Sequence, residues 1–373
     1  MKRRKIVICS PQLGISNQTS SGGEVYDREI LTQLAALGAN IEILLPKGRN
    51  HPKIKNFNID FAPIKTMFPP YVFNLFVLAY LFKIYKGTKF QILRVHSPYF
   101  VGVGAVLFKF FHPEIKLVGS YLHLENNNLI FDLINRLIIK KFDLIVTIST
   151  ATKAEIIQKY GVLENKILVT YPGVSKVFLL PNKKAINLVS KLNLSQKFVL
   201  LYLGGLKFRK NPQFLLDVLK HVTNPNVILL IVGSGQALKL LKIKTKMFGL
   251  LKKVKFLGFI SERDKAKIYN LADVFLLPSK KEGFGMIVTE AAACGVPSIV
   301  AATSSLPEVV KDGKTGFVLP LEPKFWAEKI NLLAKNEKLR SNMGKSAREY
   351  VLKNFSWEQA AKKQLAAFQK LLS

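Results

Sequence analysis

The sequence predicts an α/β protein built from two doubly wound, Rossmann-like parallel-sheet domains. Two features carry that expectation. Short, almost wholly apolar runs alternate with helix-like stretches from end to end, and the alternation lapses once, over residues 172–193, before it restarts. A run that is apolar on both faces suits a strand buried on both faces, as in a parallel sheet covered by helices. The length of 373 residues also exceeds one ordinary domain.

In chain order, residues 5–10 (KIVICS) read as a strand, 23–38 as an amphipathic helix closed by glycine, and 41–46 (IEILLP) as a strand. FQILRVHS, IKLVGSYLH, FDLIVTIS and KILVTYPG follow, each an apolar run ending in polar or turn residues. Residues 172–193 mix turn residues and charge without a period and read as the connection. KFVLLYLGG, VILLIVGSG, VKFLGF, VFLLPS and VPSIVA then rebuild the pattern, and a serine-capped amphipathic helix, NFSWEQAAKKQLAAFQKLL, ends it. The domains so drawn are 1–180 and 181–356, with a terminal helix over 357–373. Such sheets bind ligands beyond the carboxyl ends of their strands, and with two domains face to face the central cleft is the expected site.

Lys and Arg number 56 against 24 acids, a net charge of +32. Such a surface seeks anions: nucleic acid, lipid headgroups or phosphorylated substrates. Between Lys53 and Lys109 the basic residues are interleaved with large apolar ones and accompanied by a single acid, Asp60. That pairing of charge with apolar bulk favours an anionic membrane surface. Residues 71–85 are too short, and too polar at Asn74 and Lys83, to span a bilayer; they also suit a buried helix of the first domain. The basic head is followed by only four apolar residues, so no secretory leader is expected. Cys9 and Cys294 offer no disulfide framework, which suits a reducing cytoplasm.

Three loops carry chemistry. Gly22 and Gly23 open a helix after the first strand, where backbone amides and the helix dipole could meet a phosphate; an ordinary loop reads the same way. After a later strand, YLGGLKFRKN places Arg209 and Lys210 to grip a diphosphate, or simply in solvent. KKEGFGMIVTEAAACG then makes a tight loop and a helix. Amides of Phe284, Gly285, Met286 and Ile287 would point out of its start. Glu290 is placed to accept from vicinal hydroxyls and Glu282 from a second polyol. The neighbours of Glu290 are apolar, so a carboxylate there needs a partner.

The pair Glu282 and Glu290 in KEGFGMIVTEAAACGVP is joined, in order, by Gly22-Gly23, HSP, YLHLE, VTISTATK, YPGV, LGGLKFRKN, VGSG, VKFLGFI, LADVFLLPS, EVVKDGKTGFVLP and FSWE. Over nearly its full length the chain thus resembles the retaining glycosyltransferases of family 4, with the GT-B fold. The resemblance implies that Gly22 and Gly23 pack against a donor diphosphate, which Lys210 and Arg209 neutralise. It implies that Phe259 and Ile260 meet the nucleobase and that Glu290 holds the ribose. Glu282 and the Phe284-Gly285 amides would hold the transferred sugar, with Met286 and Ile287 beside them. His123 would lie near the anomeric end, making His123, Glu282 and Lys210 the catalytic group. FSWE would start a helix crossing back to the first domain. Gly204 is placed with the donor-binding residues, while Gly205 departs from the pattern, since many members have arginine at its position. His96 reads equally as a structural residue.

The expected reaction moves a hexosyl unit from a UDP- or GDP-sugar to a glycan or lipid-linked acceptor, with retention and without an enzyme nucleophile. No Asp-x-Asp and no His/Cys cluster of ligand spacing occurs in the chain, so no metal and no cofactor beyond the nucleotide-sugar substrate are expected. The expected location is cytoplasmic, peripheral at the inner face of the membrane. Two alternatives stay open. An epimerase of the UDP-N-acetylglucosamine 2-epimerase type would isomerise its donor without an acceptor. A nucleic-acid-binding protein would account for the charge but not for paired glutamates, which repel a phosphate backbone.

Overall fold

The computed structural model describes residues 5–12, 22–48, 51, 54–62, 73–96, 98–124, 129–179 and 186–373. Of the features named above, residues 1–4, Lys53, Tyr71, Ser97, Glu125 and 180–185 lie outside these. The chain divides into one unit of Met1–Gly173 with Trp357–Ser373, and a second of Val174–Ser356.

The first unit holds β1 (Val7–Pro11), β2 (Asn40–Pro46), β3 (Phe57–Ala62), β4 (Ile92–His96), β5 (Lys116–Tyr121), β6 (Leu144–Thr147) and β7 (Ile167–Val169). They form one parallel sheet in the order β3-β2-β1-β4-β5-β6-β7. Its helices are α1 (Gly22–Ala36), α2 (Phe73–Thr88), α3 (Pro98–Phe111), α4 (Leu129–Ile138) and α5 (Thr150–Tyr160). The strand order reverses between β1 and β4, the switch point at which such sheets open a crevice. Strand β3 was not read from the sequence. Its residues FNIDFA alternate in polarity, and most stay partly exposed because β3 is an edge strand, so it lacks the continuous apolar run of the inner strands.

The apolar run over 71–85 becomes α2, which turns Phe73, Val77, Leu81 and Ile84 into the core at helical spacing. Phe76, Phe82, Lys83 and Lys86 stay exposed. The terminal helix Trp357–Leu372 packs on α1. Its buried Gln364 donates to Tyr26 Oη (2.9 Å) and Thr170 Oγ1 (3.0 Å), and the Trp357 ring lies 5.8 Å from that of Tyr26.

At the switch point, Asp27 of α1 and Arg94 of β4 form an ion pair with both side chains fully buried. Gln12 donates to the other Asp27 oxygen, and His96 Nδ1 lies 3.3 Å from the first. Burial pushes the Asp27 carboxyl up, but Arg94 and then His96 together outweigh it and hold it below 3.8. His96 is held below 6.5, chiefly by burial, so it is neutral at pH 7. The structure thus gives His96 a structural setting beside the Asp27–Arg94 pair.

The second unit repeats the winding with β8 (Phe198–Leu203), β9 (Val227–Val232), β10 (Val254–Gly258), β11 (Val274–Leu277), β12 (Ser298–Ala301) and β13 (Gly316–Leu319). The parallel order is β10-β9-β8-β11-β12-β13, reversing between β8 and β11. Its helices are α6 (Ile186–Lys191), α7 (Phe214–His221), α8 (Leu238–Met247), α9 (Glu262–Tyr269), α10 (Met286–Ala293), α11 (Leu306–Val309), α12 (Pro323–Lys335) and α13 (Glu337–Asn354). Every residue of β8, β9, β11 and β12 is buried, the physical counterpart of their unbroken apolar sequences.

Removing one partner of a buried ion pair leaves an uncompensated charge, at a cost of about 3–5 kcal/mol. Asp27→Asn is therefore expected to lower the chemical-denaturation midpoint sharply at pH 7. Because the folded Asp27 pKa is depressed, its contribution is present above the unfolded value near 3.8 and fades as pH falls through the lower folded value. The gap between variant and wild type should narrow over that acid range; equal midpoints at pH 7 would show that the pair contributes nothing.

Candidate active site

The loops that leave β8 and β11 stand at the second sheet's switch point. The loop after β8 lies on the end of β9: Gly204 N donates to Val232 O (3.0 Å) and Leu206 N to Ser234 O (2.8 Å). A Cβ on Gly233 would stand 2.0 Å from Gly204 O, at a φ of 132°. The VGSG sequence is therefore a close backbone approach rather than only a turn. A single 3-10 turn, Phe208–Lys210, follows and ends at Asn211 in a left-handed conformation. It is strapped to the loop after β11, since Lys280 N donates to Arg209 O (2.8 Å) and Arg209 Nη1 to Lys281 O (2.9 Å).

These straps bring Glu282 and Lys210 together. Glu282 Oε1 accepts from Ser279 Oγ (2.7 Å) and lies 3.1 Å from Lys210 Nζ, while Arg209 Nη1 is 3.9 Å from Oε2. The Glu282 carbonyl accepts from Ser305 Oγ (3.2 Å), and Thr303 Oγ1 donates to Ser279 O (2.7 Å), so its loop is held from both sides. Burial alone would raise the Glu282 carboxyl; Lys210 and Arg209 reverse that and hold it below 4.5. Glu282 is thus a buried, ionised acceptor rather than an exposed charge. The two basic residues read as a diphosphate grip are each already engaged with the glutamate loop.

Helix α10 begins after Gly285, at φ 96°, where a Cβ would press on Leu306 Cδ2 at 2.9 Å. Phe284 packs its ring against Phe355 at 5.2 Å and is buried, so binding at Phe284 would have to use its backbone. The amides at Gly285, Met286 and Ile287 occupy the helix start, where N–H groups lack an intrahelical acceptor. Ile287 approaches the glycine loop, its Cδ1 3.4 Å from where a Cβ on Gly204 would stand.

Glu290, one turn on, is buried, and its Oε2 accepts from Tyr269 Oη (2.8 Å) and Lys265 Nζ (3.4 Å). Sequence reasoning left the partner of this carboxylate to a ligand; the chain supplies two for one of its oxygens. Both come from α9, one turn apart. Lys265 is itself buried and also pairs with Glu262. The missed signal was a lysine on the stripe that buries Ile268 and Tyr269. Burial raises the Glu290 carboxyl, with Lys265 opposing and Glu262 adding to the rise. Beyond β10, Phe259 is exposed and Ile260 partly so, and Gly233 N donates to Gly258 O (2.7 Å), which ties this loop to the VGSG turn.

The remaining candidates lie in the first unit. Gly22 and Gly23 start α1, and a Cβ on Gly23 would meet Leu122 Cδ1 at 3.3 Å. The next residue is the half-buried His123, so the glycine pair and this histidine loop come together. Among the described residues no group of three His, Cys, Asp or Glu could hold a metal ion.

Lys210→Met would leave Glu282 buried with only the more distant Arg209 as counter-charge. The Glu282 pKa, now depressed, should rise, and the penalty applies to its ionised form. The variant's loss of melting temperature should therefore grow as pH rises above 4.5 and shrink below it; a loss independent of pH would mean that Lys210 does not set the state of Glu282.

Family models match both units: "Glycosyltransferase Family 4" over residues 20–176 and "Glycosyl transferases group 1" over residues 185–350. An uncharacterized glycosyltransferase of Methanocaldococcus jannaschii is 29% identical over 229 residues, 58% of this chain and 57% of that protein, so the match spans little more than half of either. The N-acetyl-alpha-D-glucosaminyl L-malate synthase of Bacillus anthracis is 27% identical over 96% of this chain and 94% of its own. Among solved structures, Anabaena HepE in complex with UDP and glucose superposes with a TM-score of 0.82 at 19% identity, covering 98% of this chain and 100% of that one. The fold is thus of the GT-B type. With its first domain matched by the family 4 model and its second by the group 1 model, the chain belongs to the family 4 glycosyltransferases.

Proposed function

We propose that the chain transfers a hexosyl unit from a UDP- or GDP-sugar to a glycan or lipid-linked acceptor, with retention and without a metal. The observation that carries this reading is the grouping of Lys210, Glu282 and Glu290 around the start of α10, at the switch point of the second sheet. Lys210 and Arg209 supply positive charge for a leaving diphosphate, and the helix-start amides at Gly285, Met286 and Ile287 add to it. Glu282, kept ionised, accepts from hydroxyls of the transferred sugar. Glu290 has one oxygen committed to Tyr269 and Lys265, which fixes the carboxylate for ribose hydroxyls. Phe259 offers an exposed ring edge or face to a base.

In this reading the departing phosphate takes the acceptor proton, and no protein nucleophile is assigned. Gly22, Gly23 and His123 form the first unit's group of candidates, with the roles the family resemblance gives them. The UDP and glucose bound by the Anabaena protein support a nucleotide-sugar donor, and the name of the Bacillus anthracis synthase supports transfer of a sugar. The basic surface supports work at an anionic membrane, and among the described residues no helix is long and apolar enough to cross one.

Calorimetric titration with UDP and GDP tests the donor site. One nucleotide should bind, and Glu290→Ala should weaken it roughly tenfold to a hundredfold, the loss of hydrogen bonds to a charged acceptor worth about 1.5–3 kcal/mol. A folded protein that binds neither nucleotide would sink the reading. The affinity should also fall as pH drops through the raised Glu290 pKa, because a protonated carboxyl accepts poorly. Lys265→Met removes the charge that opposes that rise, so its acid limb should lie at higher pH than in the wild type.

A further inference from the structure

Helix α4 carries apolar residues on both of its faces, with Ile134 and Ile138 packed on the core. It turns Asn135 and Ile138 inward, while Leu129, Ile130, Leu133 and Leu137 are 89%, 49%, 59% and 64% exposed. Three of these leucines recur every fourth residue and so form one stripe. The inward setting is pinned by polar contacts. Asn135 accepts from Tyr121 Oη (3.1 Å) and donates to Tyr160 Oη (3.2 Å); that hydroxyl donates to Asp132 (2.9 Å). Asp132 in turn pairs with Arg136 (2.9 Å) and Lys159 (2.7 Å), which offsets the one acid on the helix. Rotating α4 to hide its leucines would strand a buried amide, so the fold holds the apolar stripe outward.

The stripe continues into Lys140 and Lys141, both exposed on the next turn. It is also not isolated. Helix α4 packs on α3, where Leu107, Phe110 and Phe111 are exposed, and α3 packs on α2. The Phe111 ring lies 5.7 Å from that of Phe82, which is exposed next to Lys83 on α2. Three adjoining helices thus display leucines and phenylalanines interspersed with lysines. Single exposed apolar residues are common, whereas a contiguous patch marks an interaction site.

We propose that the outer faces of α4 and the end of α3 form a docking surface for an anionic phospholipid bilayer. Leu129, Leu133, Leu137, Phe110 and Phe111 enter the headgroup–acyl boundary, and Lys140, Lys141 and Lys83 meet lipid phosphates. Charge selects this occupant. A second copy of the chain would bring another +32 against the patch, and the two would repel. The inference rests on the proposed function, gives a place and a lipid class to its work at an anionic membrane, and puts the apolar part of the contact on the leucines of α4.

The test is co-sedimentation of the full chain with phosphatidylcholine vesicles, with and without phosphatidylglycerol. Wild type should pellet with the anionic vesicles. The triple change Leu129→Ser, Leu133→Ser and Leu137→Ser should cut that binding roughly tenfold or more, with an unaltered melting temperature because all three side chains are exposed. Lys140→Glu with Lys141→Glu should weaken binding to anionic vesicles and flatten its salt dependence. Wild type that ignores anionic vesicles, or a triple variant that binds as wild type does, overturns the proposal. So does a wild-type dimer that the triple change converts to monomer in light scattering, which would make the patch a self-association surface. UDP and GDP titration keeps the readings apart: a wild type that captures vesicles without binding either nucleotide removes the donor reading and leaves this surface standing, and a triple variant that loses vesicles should bind nucleotide as wild type does.

Discussion

Among the described residues, four carboxylates are taken out of water: Glu42 accepts from the Asn58 amide, while Asp27, Glu282 and Glu290 each meet a cation. Desolvating a carboxylate costs several kcal/mol, so an unpaired one would protonate or destabilise its surroundings. Asp27 meets Arg94 across α1 and β4, Glu282 meets Lys210 across the loops after β11 and β8, and Glu290 meets Lys265 across α10 and α9. Each pair joins two elements that the sheet winding brings side by side. The first two stand at the points where strand order reverses, the places in a doubly wound sheet where loops part and a ligand can enter. Charge pairing and crevice are therefore products of one topology.

The two glutamates of the second unit are driven apart by their settings. Glu282 sits between two cations and a serine hydroxyl, and its pKa is depressed. Glu290 sits deeper, with one long contact to Lys265 and the like charge of Glu262 nearby, and its pKa is raised. Carboxylates with diverging environments are a common property of functional sites. Here the division suits a strong acceptor held ready next to positive charge and a second acceptor whose position is fixed by Tyr269. Glu282 and Lys210 hold one another, so a ligand diphosphate that takes Lys210 must compete with a carboxylate. In the proposed function, that competition would favour ligands that bring both a phosphate and a hydroxyl.

The sheets were largely legible because burial on both faces writes itself into sequence as unbroken runs such as VILLIV and FVLLYL. Strand β3 was not, since an edge strand alternates and resembles a loop with apolar residues. At the site, Glu282, Glu290 and the helix start were legible from local order, as a tight glycine turn followed by an apolar helix. Their partners were not. Lys265 is one lysine among many in a very basic chain, and only the tertiary setting of α9 distinguishes it from a solvated one. Asn135 presents the same difficulty: nothing local says that this amide points inward and the leucines around it outward. Rotational setting of a helix is decided by which groups it meets, here Tyr121 and Tyr160 from other elements.

The excess of basic residues and the outward leucines of α4 are better understood together than separately. An exposed apolar stripe on a near-neutral protein invites self-association, because burying it against another copy removes apolar area from water. A net charge of +32 opposes that outcome at every approach between like molecules while favouring approach to an anionic plane. Lysine suits this purpose, since its alkyl stem can lie along apolar surface with the ammonium held at the level of phosphates. The two features that look least like those of a soluble enzyme, charge and exposed leucine, thus offset one another in solution and act in the same direction at a lipid surface.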